Sequence, residues 1–520
     1  MEQMSESQNN ISKEQSKMVS VLSLGFLVLF VAVSFINIDF VTKLVNSSFS
    51  FSVKYFGAIW QILLVGTFFL SLALAFSKYG DVKLGEMEKP EFTTFRWVCM
   101  IMCTLLAGGG VFWSAAEPMY YFLNVPPAFT GIENASKQAV APALCQAFLH
   151  WGFYAWAILG TLGTVVLMYS CYCKGMPLAP RSLIYPILGE KGVNGIWGSL
   201  VDATTIIATA AGTIGPIGFL GLQMSYAISD MTGIPDVFTT QLAVIAVVTV
   251  AYTLTAVTPI YKGINHVSFF NICLTIFVIL FILVFGPGAF VVDSFFSAMG
   301  LYLGGDFIRL ALFRGDTAWI GWWTIFFFAW FLGYGPMMAV FCARVSRGRT
   351  IRELMIAVGV VAAIATNAWF SVLGGAGIFY ELTTPGSVSV ALNNNGLPAA
   401  LLSIIRQLPA QSLMIPVILL LVALFLVTTG AGMTYSMAIS VSGNENPPVW
   451  IRVLWGVIMG AVAALLIKLG AGGIGALQNF IVFTAVPLTF YYFPTLWLGP
   501  KCAAIMYEMQ FGKENKKANI

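Results

Sequence analysis

Apolar stretches of about twenty residues, the length a helix needs to cross a bilayer of roughly 30 Å, recur from Met18 almost to Pro500. The windows predict twelve spans, at 18–38, 57–77, 97–123, 141–171, 198–228, 238–258, 267–291, 319–343, 352–380, 411–441, 448–470 and 477–500. A stretch from about 294 to 311 mixes Phe295, Phe296, Leu301 and Leu303 with Asp306 and Arg309. That mixture suits an amphipathic segment lying along the membrane surface, so it is not counted as a span. The expected architecture is an all-α integral membrane protein: a twelve-helix domain over 18–500 between polar tails, 1–17 and 501–520.

Composition agrees with this pattern. Hydrophobic residues make up 58% of the 520 and charged residues 9%, against about a quarter charged in soluble domains. The net charge of +4 matters less than its sidedness. With the N-terminus cytoplasmic, only Lys43, Lys54, Lys137, Arg309, Arg314, Arg406 and Lys468 of the 26 Lys and Arg fall outside. This bias predicts a multi-pass protein of the cell (inner) membrane with both termini cytoplasmic, and it calls for no nucleic-acid partner. The first apolar run lacks a small-residue cleavage site and reads as a helix, not as a removed signal. Six of the eight cysteines lie in or beside apolar spans without CxxC spacing, which argues against disulfides and zinc.

Two spans carry features unusual for a lipid-facing helix. Gly108, Gly109 and Gly110 run consecutively in the third, and Gly333, Tyr334, Gly335 and Pro336 lie in the eighth. Either the two helices unwind there, freeing backbone groups for a substrate or ion at mid-membrane depth, or the glycines serve close helix packing. Their places in the order suggest paired repeats. Aromatic residues cluster on the same spans: Tyr120 and Tyr121 end the third, Trp151 and Trp156 stand about 140° apart on a regular fourth helix, and Trp330 and Tyr334 share a face of the eighth. Rings turned into a cavity offer negative π faces to a quaternary ammonium ion, which has no hydrogen to donate; the competing reading is anchoring at the headgroup level.

Catalytic chemistry finds no carrier: there is no nucleophile elbow, no HExxH and no phosphate loop. The two histidines are His150 and His266. His150 is expected to satisfy a backbone carbonyl. Glu117 and Asp202 are the acidic residues inside spans, and either a functional or a structural role suits each. The Arg344, Arg347, Arg349 and Arg352 cluster reads as a topology signal or an anionic-lipid contact.

The chain resembles the betaine/carnitine/choline transporter family over nearly its whole length, through Phe148 to Trp156, Trp323 to Tyr334 and Phe341 to Glu353. The resemblance implies a core of two inverted five-helix repeats, a LeuT-like fold, with two peripheral helices (18–96), a first repeat (97–291), the surface segment (292–318) and a second repeat (319–500), assembled as a homotrimer among membrane lipids. It carries the substrate box onto Trp151, Trp156, Trp330 and Tyr334. Phe331 stands where the family has a second tandem tryptophan, and Tyr120 or Tyr121 matches a family tyrosine. It also implies a sodium site formed by Phe425, Thr428 and Thr429 of the tenth span, facing the carbonyls of Cys103 and Leu106. Asn271 stands where sodium-independent exchangers place an arginine, whereas Met338 matches their methionine.

The function expected on these grounds is secondary active transport, without a cofactor, of a small quaternary-ammonium compound such as choline, carnitine or betaine by alternating access, with sodium-coupled uptake favoured over substrate/product exchange. Polar ends of about seventeen residues fit nutrient uptake better than the long sensing extensions of osmoregulated members. A membrane enzyme or sensor for a methylated amine is the remote alternative.

Overall fold

The structure is a computed structural model and describes residues 2–105, 107–258, 263–442, 446–469 and 474–518. It is all-helical; among the described residues the nearest thing to a strand is an isolated bridge between Lys83 and Thr350. Helices α1 (Glu2–Ile36) and α2 (Ile38–Phe76) meet at Asn37, whose side chain accepts from the Phe40 amide. At 39 residues, α2 is about 58 Å long, so the helix extends well before the expected window of 57–77.

The third span is α3 (Thr94–Leu105) followed by α4 (Ala107–Leu123). The fourth is divided into α5 (Val140–Trp151), α6 (Phe153–Gly160) and α7 (Leu162–Met168). Single helices follow as α8 (Ile196–Thr232), α9 (Phe238–Val257) and α10 (Ile264–Phe285). Next come α11 (Gly288–Leu301), α12 (Phe326–Val345), α13 (Ile351–Ile356), α14 (Ala362–Phe370) and α15 (Ala376–Thr383). The chain closes with α16 (Gln411–Ser442), α17 (Val449–Leu469), α18 (Ile474–Thr484), α19 (Val486–Tyr492) and α20 (Thr495–Ala518), the last running through the segment expected to be a tail.

Among the described residues ten helices are long and apolar enough to cross a membrane, or up to twelve if each bent pair counts as one span. Membership of that set differs from the expected one. Gly288–Ala311 qualifies, while Val449–Ala464 falls among the shorter apolar helices. Asp306 and Arg309, which weighed against a span at 294–311, neutralise each other: Arg309 Nε lies 2.5 Å from Asp306 Oδ1.

Burial separates core from periphery. The apolar windows of Lys137–Cys173 and Thr317–Val345 are 100% buried, whereas those of α9 and α10 are 39% and 28% buried. Apolar side chains such as Leu280, Val284 and Phe285 therefore remain on the outer surface of α10, where lipid can cover them. Helix α12 is the central post, packed on α6, α7, α8 and α18.

At one end of the bundle residues 77–94 and 344–353 form a clasp. The Leu84 amide donates to Arg349 O (2.7 Å), the Gly348 amide to Leu84 O (2.7 Å) and the Ile351 amide to Val82 O (2.9 Å). The arginine cluster completes it. Arg344 pairs with Glu91 (2.7 Å), Arg349 donates to Phe92 O and Thr94, Arg352 pairs with Asp81, and Arg347 lies 5.0 Å over the Tyr172 ring. These arginines brace two loops, a use that neither the topology nor the lipid reading anticipated. On the outer side of the clasp, Gln510 of α20 bonds both backbone groups of Lys83.

Candidate functional site

The glycine run acts as expected in only one of the two spans. Between Thr94–Thr104 and Gly109–Leu123 the chain bends by 65°, so the third span breaks just before the triple glycine; Leu106 lies outside the described residues, and Gly108 and Gly110 belong to the first turn of α4. The expected interruption of the eighth span is absent. Helix α12 runs unbroken through Gly333, Gly335 and Pro336, and its irregularity is a π-helical turn at Gly321–Ile325 instead. Packing explains the glycine at 335: a Cβ there would stand 2.9 Å from the Tyr492 ring. The Tyr492 hydroxyl in turn donates to Ile158 O (2.9 Å).

A break that the sequence reading missed falls in the fourth span at Gly152, where φ −93° and ψ −130° separate α5 from α6. A Cβ at Gly152 would lie 2.4 Å from Phe148 O, so glycine permits this turn immediately after Trp151.

Trp151, Trp330, Phe331 and Tyr334 are brought together and are all buried. Phe327, Trp330 and Phe331 lie nearly parallel, at 21°, 19° and 4° between pairs. Trp151 meets all three edge-on, with ring centroids 5.4, 5.9 and 5.2 Å away. Its other flank packs on Phe370 of α14 at 5.3 Å. Gly109 backs the arrangement: a Cβ there would stand 2.8 Å from Trp330 and 3.4 Å from Trp151. Trp330 is fixed by its Nε1–H to Gly212 O (3.1 Å), and Tyr334 donates to Thr213 Oγ1 (3.0 Å). Both partners lie on α8, and neither was singled out from the sequence.

Trp156 stands one turn along α14 from this box, donating to Thr366 Oγ1 (2.9 Å) four residues before Phe370. The kink at Gly152 lies between the two tryptophans, so the 140° separation of a regular helix does not apply. Tyr120 and Tyr121 join a second cluster at the start of the eighth span. Their rings lie 4.6 and 4.9 Å from Trp323, with Trp319 5.7 Å from Tyr121, and Phe327 connects the two clusters through Trp323.

The acidic residue Glu117 links both. Its Oε2 accepts from Trp151 Nε1 (2.7 Å), and its Oε1 lies 2.6 Å from His150 Nδ1. Tyr121 Oη is 3.2 Å from the same nitrogen. His150 therefore engages a carboxylate, not the backbone carbonyl expected for it, and Glu117 emerges as the anchor of the box. Asp202 instead accepts from the Arg181 amide (2.7 Å) and faces its guanidinium at 3.4 Å.

The residues assigned to a cation also converge in part. Thr428 Oγ1 lies 3.4 Å from Cys103 O across the α16–α3 contact and 3.0 Å from Phe425 O. A Cβ on Gly432 would stand 2.5 Å from Thr104, which shows how closely α16 approaches α3. Thr429 is buried beside Thr428, and Asn271 of α10 donates to Cys103 Sγ (3.8 Å). Met338 is buried on α12. Hydroxyl and carbonyl oxygens are the hard donors that suit an alkali or alkaline-earth cation. The buried Thr104 hydroxyl at this contact lacks a hydrogen-bond partner among the described residues.

Comparison with known proteins identifies the family. The profile described as "BCCT, betaine/carnitine/choline family transporter" matches residues 18–507. Glycine betaine transporter 2 of Vibrio parahaemolyticus is 49% identical over 94% of this chain and 90% of its own length. Glycine betaine transporter OpuD of Bacillus subtilis is 34% identical over 87% and 88%, and the ectoine/hydroxyectoine transporter of Virgibacillus pantothenticus is 32% identical over 85% and 87%. The relatives that match most of this chain are named transporters, which excludes an enzyme. The chain is a multi-pass membrane protein that belongs to the betaine/carnitine/choline transporter family.

Proposed function

We propose that this protein takes up glycine betaine or a closely related small zwitterion with a methylated or delocalised cationic head, held at the box of Trp151, Trp330, Phe331 and Tyr334. The observation that carries this reading is the perpendicular seat of Trp151 against three parallel rings. A cation entering between them meets indole and phenyl faces from two directions, and cation–π attraction in a desolvated site reaches about 2 kcal/mol per face. The rings already touch, so loading requires Trp151 and the α12 rings to part, which couples substrate entry to movement between α5 and α12. Trp156, one turn further along α14, forms the next level of the path, and Tyr120 and Tyr121 with Trp323 line its approach.

Sodium is the proposed coupling ion, held by the hydroxyls of Thr428 and Thr429 and the carbonyls of Cys103 and Phe425. The neutral Asn271 leaves that site uncharged. Substrate/product exchange rests on Met338 alone and is the weaker reading. The broken third span and the α12 post are proposed as corresponding members of two inverted repeats, with 97–291 and 319–500 as the halves, 18–96 peripheral and 292–318 at the outer surface. Both termini face the cytoplasm, by the distribution of Lys and Arg, and a trimer in the inner membrane is the proposed assembly.

Tryptophan fluorescence of the purified protein, titrated with glycine betaine, choline, carnitine and ectoine with and without sodium, tests this reading. Saturable binding of glycine betaine that tightens with sodium is the expected result. Indifference to sodium selects exchange, and no response to any of the four removes the substrate assignment.

A further inference from the structure

We propose that Glu117 and His150 form a proton-binding site linked to the aromatic box, so that loading the cationic head of a substrate releases a proton. This rests on the functional reading above. Both side chains are fully buried and meet at 2.6 Å. Gln146 Nε2 donates to His150 Nε2 (3.1 Å), and Thr324 Oγ1 lies 3.0 Å from the same nitrogen. With the imidazole neutral, one ring nitrogen faces Glu117 and the other faces Gln146 and Thr324.

In that arrangement the pair has one negative charge, and one further proton makes it neutral. A buried carboxylate without a cation beside it is costly. Among the described residues bonded to the pair, Trp151, Tyr121, Gln146 and Thr324, none is a cation. Tyr121 of α4 lies against His150 with Tyr120 beside it, Thr324 and Phe327 of the eighth span pack on the imidazole, and Phe370 of α14 packs on Trp151. Asp293 lies on α11, and Asp306 is paired with Arg309. On α8, Asp202 faces Arg181, and Asp230 pairs with Arg406. With the box empty the extra proton therefore stays. A quaternary ammonium head against Trp151, whose Nε1 is bonded to Glu117 Oε2, supplies the missing positive charge and the proton departs to water. The Gln146 Oε1, buried and unpartnered among the described residues, gives this polar chain an acceptor beyond His150, along α5. A merely structural bond between Glu117 and Trp151 would need neither the histidine nor that acceptor.

The test uses full-length protein in weakly buffered detergent with sodium present, reading protons with a soluble pH indicator and glycine betaine binding by tryptophan fluorescence. The expected result is release of up to one proton per bound betaine, with affinity rising up to tenfold per pH unit through the window where the pair titrates. Glu117→Gln, which can still accept from Trp151, should bind betaine without proton release and with affinity independent of pH. His150→Gln gives a second variant should the first fail to fold: it keeps the Glu117 carboxyl but removes its partner, so proton release should persist with its pH window displaced. Betaine binding to the wild type with no proton release at any pH, release that persists in Glu117→Gln, or an undisplaced window in His150→Gln overturns the proton site alone. Absence of any betaine binding overturns the functional reading and the linkage with it.

Discussion

The indole Nε1 of Trp151 lies 2.7 Å from Oε2 of Glu117, in a region shut off from solvent. This bond fixes which face of Trp151 is presented to Trp330 and Phe331, and it ties the box on α5 and α12 to α4, immediately beyond the 65° bend of the third span. A hinge in the third span therefore cannot move without either carrying Trp151 with it or breaking a buried hydrogen bond worth about 0.5–1.5 kcal/mol.

Replacing Trp330 by alanine should weaken betaine uptake about thirtyfold while leaving a folded protein. Loss of one desolvated cation–π face costs about 2 kcal/mol, or roughly thirtyfold in affinity. Uptake in proteoliposomes together with size-exclusion profiles checks this, and uptake at normal affinity would remove Trp330 from the box.

Thr428→Ala should raise the sodium concentration needed for half-maximal uptake by about tenfold or more, since it deletes one oxygen of a small donor set. Thr428→Ser should restore it. Sodium titrations of the three proteins decide the matter, and an unchanged midpoint in the alanine variant would favour exchange.

The glycines of the eighth span separate packing from unwinding. Gly335→Ala pushes a methyl to 2.9 Å from the Tyr492 ring and should destabilise by about 1–3 kcal/mol. At Gly333 the nearest atom to an added Cβ is 3.8 Å away, so alanine should be neutral or gain up to about 1 kcal/mol of helix propensity. Thermal unfolding in detergent distinguishes the two. Loss of transport in a stable Gly333→Ala protein would mean that α12 unwinds during the cycle.

Arg349→Ala removes bonds to Phe92 O, Thr94 and Glu353 from a buried guanidinium. It should lower the unfolding temperature through loss of about 1.5–3 kcal/mol with betaine affinity unchanged, because the clasp stands apart from the box. A changed affinity with unchanged stability would assign the clasp a part in transport itself.

Long apolar windows are legible in a sequence because a bilayer imposes a length on every helix that crosses it, and the twelve windows each hold a helix. The meeting of the aromatic rings was legible for a related reason: tryptophans near helix centres have no headgroup to anchor to. Trp151, Trp330, Phe331 and Tyr334 duly meet. What failed was finer. A glycine run announces that a helix can break and not that it does, since the same missing Cβ admits Tyr492 beside Gly335. Gly152, which does mark a break, is a lone glycine with no sequence signal to distinguish it.

From the chain alone came the all-helical membrane class, the family resemblance and most of the rings that gather around Trp151, because hydrophobic length and residue type survive without coordinates. Which polar group answers which was decided only in three dimensions. Glu117 and His150 are 33 residues apart, and Trp330 and Gly212 are 118 apart. Periodicity along one helix says nothing about the partner on another, and inside a bundle each buried donor takes whichever acceptor the packing brings within 3 Å or so.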